Sequence, residues 1–149
     1  MRSIIRLKNQ RGAALLETAI TIPLVLLVSV SIFEFGRAYQ TWQVLTNAAR
    51  EGARVAVLPN ATVADAQARV SAYMSSGQLP NGKNATVVVD MNRTLDIGGG
   101  NTAKGSLVTV NYPFKFIVLH PVAQLFSQDT TMGNDFTMTT SAEMRNEAQ

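Results

Sequence analysis

The chain has 149 residues, which suits one domain of ordinary size with a short additional segment. Only 15% of its residues are charged, against about 25% in an average soluble domain, which argues against a disordered, highly solvated protein. There is no cysteine and one histidine, His120, which excludes a disulfide framework and argues against a catalytic triad or a histidine-rich metal site. The composition therefore disfavours most enzymes, and no catalytic residue, metal or cofactor is expected.

Positive charge is concentrated at the start of the chain. Four of the 13 lysines and arginines lie within the first twelve residues, with no acidic residue beside them: Arg2, Arg6, Lys8 and Arg11. The remainder has nine basic against ten acidic residues, so it lacks the cationic cluster that nucleic-acid binding requires. A basic leader over residues 1–12 is instead typical of a segment that stays on the cytoplasmic side of a membrane.

An apolar segment follows the leader over residues 13–33. Its 21 residues contain one charge, Glu17, and a helix of that length spans about 30 Å, the thickness of the hydrocarbon core of a bilayer. Because the cations precede it, we expect one transmembrane helix with a cytoplasmic N-terminus and with the C-terminal body outside. A secretory signal peptide cut near Ser31 is the alternative, although its apolar region would be only about 7–15 residues long.

The helical pattern continues over residues 34–58, which argues against cleavage near Ser31. Apolar or small side chains recur every three or four residues and predict one face of an amphipathic helix: Phe35, Ala38, Trp42, Leu45, Ala49, Gly52 and Ala56. Glu34 and Arg37, three residues apart, are expected to form a surface ion pair. We expect a solvated helix face near the end of this segment, where the opposite charges compensate each other: Arg50, Glu51 and Arg54.

A packing face of small side chains is predicted near the end of this helix, made of Ala49, Gly52, Ala53 and Ala56. Glycine inside a helix costs up to about 1 kcal/mol relative to alanine, so Gly52 indicates that another backbone approaches closely. We expect the neighbour to be the sheet of the C-terminal body. A second subunit is the alternative.

Pro23 lies inside the apolar segment and leaves the Ala19 carbonyl without its helical donor. It predicts a kink in the helix. The kink is either incidental, with the Thr18 or Thr21 hydroxyl satisfying the freed backbone groups, or a bend that is needed when the helix leaves the bilayer for a fibre.

Glu17 places a carboxylate in the apolar segment, which costs several kcal/mol unless the group is paired or reaches water at the interface. Cleavage after Gly12 would make Ala13 the new N-terminus. The Ala13 ammonium and the Glu17 carboxylate would then share a helix face, because they lie four residues apart. The two charges could pair within one chain or bridge two packed chains.

A second helix is predicted after Leu58-Pro59-Asn60, which should end the first one. Thr62 and Asp65 resemble a capping box. The helix that they begin should run to about Ser76 and stop at Gly77.

Strand-type patterns occupy the rest of the body. Three strands are predicted, over residues 86–91, 106–112 and 135–144. The first extends toward Ile97. The second is broken at Pro113 or has an edge there, and it either ends at this point or continues to residue 118. Between them we expect a loop over residues 98–105 and a short helix over residues 121–127 that opens at Pro121. Short connections of this kind imply an antiparallel sheet.

Two sequence patterns in the body resemble ligand sites, but only weakly. Asp90, Asn92, Thr94 and Asp96 alternate like calcium ligands, but Leu95 replaces the turn glycine and Asn101 stands where a carboxylate is needed. Simple strand alternation explains this pattern better. The glycines at 98–100 lack the Gly-Lys-Ser/Thr ending of a phosphate loop.

Several of these features together resemble a known family. The order of basic leader, Gly12, apolar residues, Glu17 and long helix resembles a class III type IV prepilin signal. The resemblance becomes specific when three segments are taken together: Gly12-Ala-Ala-Leu-Leu-Glu-Thr-Ala-Ile-Thr-Ile-Pro23, Glu34-Phe-Gly-Arg37 and Asn47-Ala-Ala-Arg-Glu-Gly-Ala-Arg54. They closely resemble the TadE-like pseudopilins of tight-adherence (Tad or Flp) pilus systems, over roughly residues 11–54 and, more loosely, at residues 139–145.

The resemblance implies a pilin-like α+β fold. The first half of a long N-terminal helix would span the membrane, and its outer half would pack on a small antiparallel sheet in residues 59–149. It also implies that a prepilin peptidase cuts between Gly12 and Ala13, that Glu17 sets the register of assembly, and that the partners are other pilins and the inner-membrane pilus platform. Thr18 stands where the major Flp pilin has tyrosine, and the body is longer, so the resemblance implies a minor pilin that serves adhesion and biofilm formation.

Two other functions are weighed against this one. A permanently membrane-anchored periplasmic ligand-binding protein would keep the bond between Gly12 and Ala13 intact. An anchored hydrolase would need an acid, a base and a nucleophile that converge, and the sequence has no such cluster.

Overall fold

A computed structural model describes residues 10–121 and 135–146. The first helix, α1, runs without interruption from Gln10 to Ala56 and is 47 residues long, about 70 Å at 1.5 Å per residue. The side chains of its first half are exposed and apolar, with a mean hydropathy of 2.2 over the most apolar 18 residues. By length and composition this helix can cross a membrane.

The second helix, α2, covers Val63–Ser76 and begins with the predicted capping box. The Asp65 amide donates to the Thr62 hydroxyl at 3.2 Å, and the Thr62 amide donates to the Asp65 carboxylate at 2.9 Å. These two bonds satisfy amides that lack a partner in the first turn of any helix. The prediction for this helix is confirmed at both ends, since Gly77 is the C-terminal cap.

Three antiparallel strands form one sheet in the order β1-β2-β3: Thr86–Gly98, Asn101–Phe114 and Phe136–Arg145. Val88 of β1 pairs with Thr109, and Thr109 pairs with Ser141 of β3. Strand β2 is therefore central. The predicted α+β class, with a long helix followed by a small antiparallel sheet, is confirmed.

The loop predicted for residues 98–105 is wrong. Gly98 pairs with Asn101 across a turn of two residues, and β2 begins at once. Gly99 and Gly100 have φ of 65° and 79°, the left-handed conformation that a tight type I′ hairpin requires at both central positions. The glycines therefore shorten the connection instead of lengthening it.

Strand β2 passes through Pro113 and ends at Phe114, so it does not continue to residue 118. Pairing of β1 with β2 ends at Asn111, whereas β3 continues alongside and places Thr137 opposite Pro113. Proline is tolerated here because only one neighbouring strand remains. The short helix expected over residues 121–127 begins earlier than predicted, because residues 119–121 are already helical. Residues 122–127 lie outside the described residues.

The core lies between the outer half of α1, helix α2 and one face of the sheet. Its buried apolar side chains come from all three: Leu45, Ala48, Ala49, Ala53, Ala56, Ala66, Val70, Met74, Val108, Val110, Tyr112, Phe114 and Met138. At the far end of α1, the Ser106 hydroxyl donates to the Ala56 carbonyl at 3.2 Å. At the near end, Phe114 packs beside Arg37. Strand β2 thus runs back along α1 toward the apolar half.

Candidate functional site

The bond between Gly12 and Ala13 lies in the first turn of α1, near the start of the described residues. The side chains of Ala13, Leu15 and Leu16 are exposed, and so is Gly12. The cations of the leader at residues 2, 6 and 8 lie outside the described part of the chain.

Glu17 is exposed on the apolar half of α1, close to Leu16 and Ile20, which are also exposed. The Thr21 hydroxyl donates to the Glu17 backbone carbonyl at 2.7 Å. Among the described residues, no side chain pairs with the Glu17 carboxylate. An isolated carboxylate in an apolar helix surface is a group that needs a partner in any water-poor environment.

Helix α1 continues through Pro23. The Thr18 hydroxyl donates to the Ala14 carbonyl at 2.8 Å, and the Thr21 hydroxyl donates to Glu17. Neither of these bonds reaches the Ala19 carbonyl, which is the acceptor that Pro23 leaves without its helical donor.

All four residues of the predicted packing face are buried: Ala49, Gly52, Ala53 and Ala56. A Cβ on Gly52 would lie 2.4 Å from Val70 Cγ2 and 3.3 Å from Val108 Cγ1. The surfaces closest to Gly52 therefore belong to α2 as well as to the sheet. The close approach involves side chains of valine, since the nearest backbone atom, the Ala66 carbonyl oxygen, is 3.5 Å away.

Glu34 and Arg37 form the predicted ion pair, at 3.1 Å. The pair does not lie at the surface, as the sequence suggested, because only 1% of the Glu34 surface is exposed. Its Oε1 accepts hydrogen bonds from the backbone amides of Ile117 at 2.7 Å and Val118 at 2.5 Å. Its Oε2 accepts from Arg37 at 3.1 Å. The carboxylate thus joins α1, near the end of its apolar half, to the segment after β2.

The protonation of Glu34 follows from these contacts. Burial raises the pKa of the carboxyl. The hydrogen bonds from Val118, Arg37 and Ile117 outweigh burial and hold the pKa below its ordinary value. Glu34 is therefore a charged acceptor at neutral pH.

Arg37 completes this connection. Its guanidinium lies 4.3 Å from the centre of the Phe114 ring and also donates to the Lys115 carbonyl. A cation over an aromatic face is favourable, more so where water is excluded. Glu34 and Arg37 together hold both the end of β2 and the turn that follows it, and we call these two residues the α1 clamp.

The helix face predicted from Phe35 and Trp42 is partly wrong. Phe35 is 71% exposed and Trp42 is 45% exposed. The buried face begins instead one residue earlier and includes Glu34, Thr41, Leu45 and Ala48. The burial of Glu34 is not predicted by its residue type, because a charge by itself indicates a surface position. The signal for burial is its 4-3-4 spacing through Ala38, Thr41 and Leu45, which places it on that face.

The predicted solvated charges near the end of α1 are present, with an additional partner. Glu51 accepts from Arg69 of α2 at 2.8 Å and lies 3.6 Å from Arg54. The hydrogen bond from Arg69 lowers the pKa of Glu51. Arg50 and Arg54 are exposed.

Sites for small ligands are poorly developed in the described ranges. No group of three or more potential metal ligands occurs among residues 10–121 and 135–146. A cleft of about 500 Å³ at the far end of the sheet is lined by polar and apolar residues that include Ala56, Ile97, Lys104 and Arg145. Asp90 and Asp96 each accept a backbone amide two residues on, at 3.1 and 2.8 Å, as turn-type side chains do.

Most of α1 matches the model of a known protein family. The family model of TadE-like proteins matches residues 12–54. Over these residues the chain is similar to TadE-like proteins. No curated protein and no solved structure matches the chain.

The TadE-like segment, residues 12–54, begins at Gly12 and covers nearly the whole of α1. It contains Glu17, Pro23 and both residues of the α1 clamp. The amides that bind Glu34 lie outside it, at 117 and 118. The match confirms the family resemblance for this segment.

Proposed function

We propose that the chain is a minor pilin or pseudopilin that acts in the assembly, initiation or tip of a Tad/Flp adhesion pilus. The observation that carries the proposal is the TadE-like match to residues 12–54, on a helix whose first half exposes apolar side chains and whose second half is buried against a small domain. One helix that both anchors and supports a domain suits a subunit that moves from a bilayer into a fibre.

The proposed organisation has four parts. Residues 1–12 are the leader, residues 13–33 span the inner membrane, residues 34–58 extend the helix, and residues 59–149 form the periplasmic domain. The cations before the span favour a cytoplasmic N-terminus. The partners are other pilins, the inner-membrane platform and a prepilin peptidase, which supplies the chemistry.

The proposed cleavage between Gly12 and Ala13 is supported by the change from a basic to an apolar sequence at this bond and by the start of the family match at Gly12. The test is the mass of the N-terminal peptide in membranes that contain the peptidase. We expect a mature chain that begins at Ala13, and a full-length chain for Gly12→Leu. Gly36→Ala, at an exposed helix position with no atom within 4 Å of the added Cβ, is the matched control and should be cut normally.

A mature chain that begins near residue 32 would indicate conventional secretion and would contradict the proposal. An intact chain in the presence of active peptidase would instead favour a permanently anchored protein.

A further inference from the structure

We propose that the end of the domain nearest the membrane rests in the lipid headgroup region of the bilayer, through a surface made of Phe35, Ile117 and Phe136, here called the membrane-proximal rim. The inference rests on the proposed membrane span of residues 13–33. It assigns a lipid-binding surface to the domain itself, in addition to the helix that anchors it.

The α1 clamp determines how far the rim lies from the end of the proposed membrane span. The proposed span ends at residue 33, and the next residue, Glu34, binds the amides of Ile117 and Val118 at 2.7 and 2.5 Å. The turn that carries Ile117 is therefore held beside the point where α1 leaves the hydrocarbon. It cannot lie far out in water while residues 13–33 are in the bilayer.

The rim is apolar and exposed. Ile117 is 58% exposed, Phe35 is 71% exposed and Phe136 is 43% exposed. Phe136 is held in place by Phe114 and Phe116, with ring centres 5.4 and 5.7 Å away. Large apolar side chains that stay exposed on an ordered surface mark a contact with another apolar phase, and aromatic residues favour the membrane interface.

Within residues 10–121 and 135–146, the charges next to the rim are paired. Lys115 pairs with Asp135 at 2.7 Å, and Arg37 pairs with Glu34 at 3.1 Å. Paired charges are easier to bring close to a bilayer than isolated ones. Phe35 directly follows Ile32 and Phe33, exposed residues of the apolar half of α1, which makes lipid the occupant that the geometry favours over a protein partner.

The opposite end of the sheet provides a contrast. Ile97 is 50% exposed, similar to Ile117, but it lies in the far cleft beside Ala56. About 33 Å of helix separates Glu34 from Ala56. Two isoleucines of similar exposure thus lie at the two ends of the domain, one at the level of the membrane exit and one far from it.

Spin labels on single cysteines test the inference, because the chain contains no other cysteine. The full chain carries Ile117→Cys, Ile97→Cys or Leu26→Cys in vesicles of phosphatidylethanolamine and phosphatidylglycerol. Collision rates are measured with oxygen, which concentrates in lipid, and with a water-soluble nickel chelate. Cysteine at 117 keeps the backbone amide that Glu34 binds, and Phe136→Cys provides a second label on the rim.

We expect a several-fold higher ratio of oxygen to nickel collisions at 117 and 136 than at 97, and the highest ratio at 26. A lipid-like ratio at 26 with a water-like ratio at 117 and 136 overturns the inference and leaves the anchor intact. Low collision rates with both reagents at the rim indicate that protein covers it, which also overturns the inference. A water-like ratio at 26 contradicts the membrane span and the proposed function as well.

Discussion

The Glu34 carboxylate accepts a hydrogen bond of 2.5 Å from the backbone amide of Val118, 84 residues further along the chain. This bond and its neighbours join the start of the packed half of α1 to the turn after the central strand. A buried carboxylate that binds backbone amides cannot be removed without leaving those amides unsatisfied. The long helix and the domain are therefore held together at the base of the domain as well as along the core.

Loss of Glu34 should destabilise the domain. We expect Glu34→Ala to lower the free energy of unfolding by about 3–5 kcal/mol, because it leaves Arg37 and the amides of Ile117 and Val118 without their acceptor. Glu34→Gln keeps one carbonyl oxygen and should cost about 1–3 kcal/mol. Denaturant unfolding in detergent measures both. Glu51→Gln is the control, since Glu51 makes only surface ion pairs, and an equal loss in that variant would contradict the role of burial.

Acid should weaken the α1 clamp. The pKa of Glu34 lies below its ordinary value of 4.5, so its contribution to stability is complete above about 4.5 and is lost as pH falls through the lower pKa of the folded state. Glu51 and Asp65 also have lowered pKa values and add to acid sensitivity. The difference in stability between the wild type and Glu34→Gln isolates Glu34. It should shrink as the pH drops below 4.5, and a difference that stays constant down to strongly acidic pH would refute this assignment.

Two helical glycines should respond in opposite directions to the same substitution. Gly52→Ala places a Cβ 2.4 Å from Val70, and overpacking of this kind costs about 1–3 kcal/mol. Gly36→Ala meets no atom within 4 Å and should gain about 0.5–1 kcal/mol from helix propensity. Thermal unfolding of the two variants provides the comparison. Stabilisation by Gly52→Ala would contradict the prediction, because it would show that α1 and α2 move apart at little cost to accommodate the added Cβ.

The β1-β2 turn should depend on its two central glycines. Gly100 has φ of 79°, and a β-branched residue there costs about 1–2 kcal/mol, so Gly100→Val should lower stability by that amount. Gly99→Asn should be nearly neutral, because asparagine followed by glycine is favoured in this turn. Thermal unfolding separates the two variants, and equal effects would contradict the type I′ geometry.

Glu17 should act in assembly and not in insertion. Under the proposed function, the neighbouring subunit's N-terminal ammonium at Ala13 is its partner, and only one axial stagger brings the two charges together. We expect Glu17→Gln to insert and to be cleaved like the wild type, with reduced co-purification of other pilins and reduced piliation. Thr21→Val, one turn along the same helix, is the control. Normal pilin association of processed Glu17→Gln would refute the register role.

Much of the architecture follows from local sequence. The helix of 47 residues, the capping box at Thr62 and Asp65 and the last strand all depend on near neighbours in the chain: periodicity, a side chain that bonds a nearby amide, and alternation. The prepilin-like order of leader, Gly12 and Glu17 is likewise a property of one short segment. Features of this kind are visible without knowledge of what packs against them.

Other features depended on the tertiary structure. Glu34 and Phe35 are adjacent in sequence, yet the charged residue is buried and the aromatic one is exposed. Residue type favoured the reverse, because burial of a carboxylate is unfavourable by itself. The amides of Ile117 and Val118 compensate for that burial, and they reach Glu34 only after β2 has run back along α1 to the point where the apolar half ends. A contact that spans 84 residues has no local signal, so only the folded chain decides which side of α1 faces the domain.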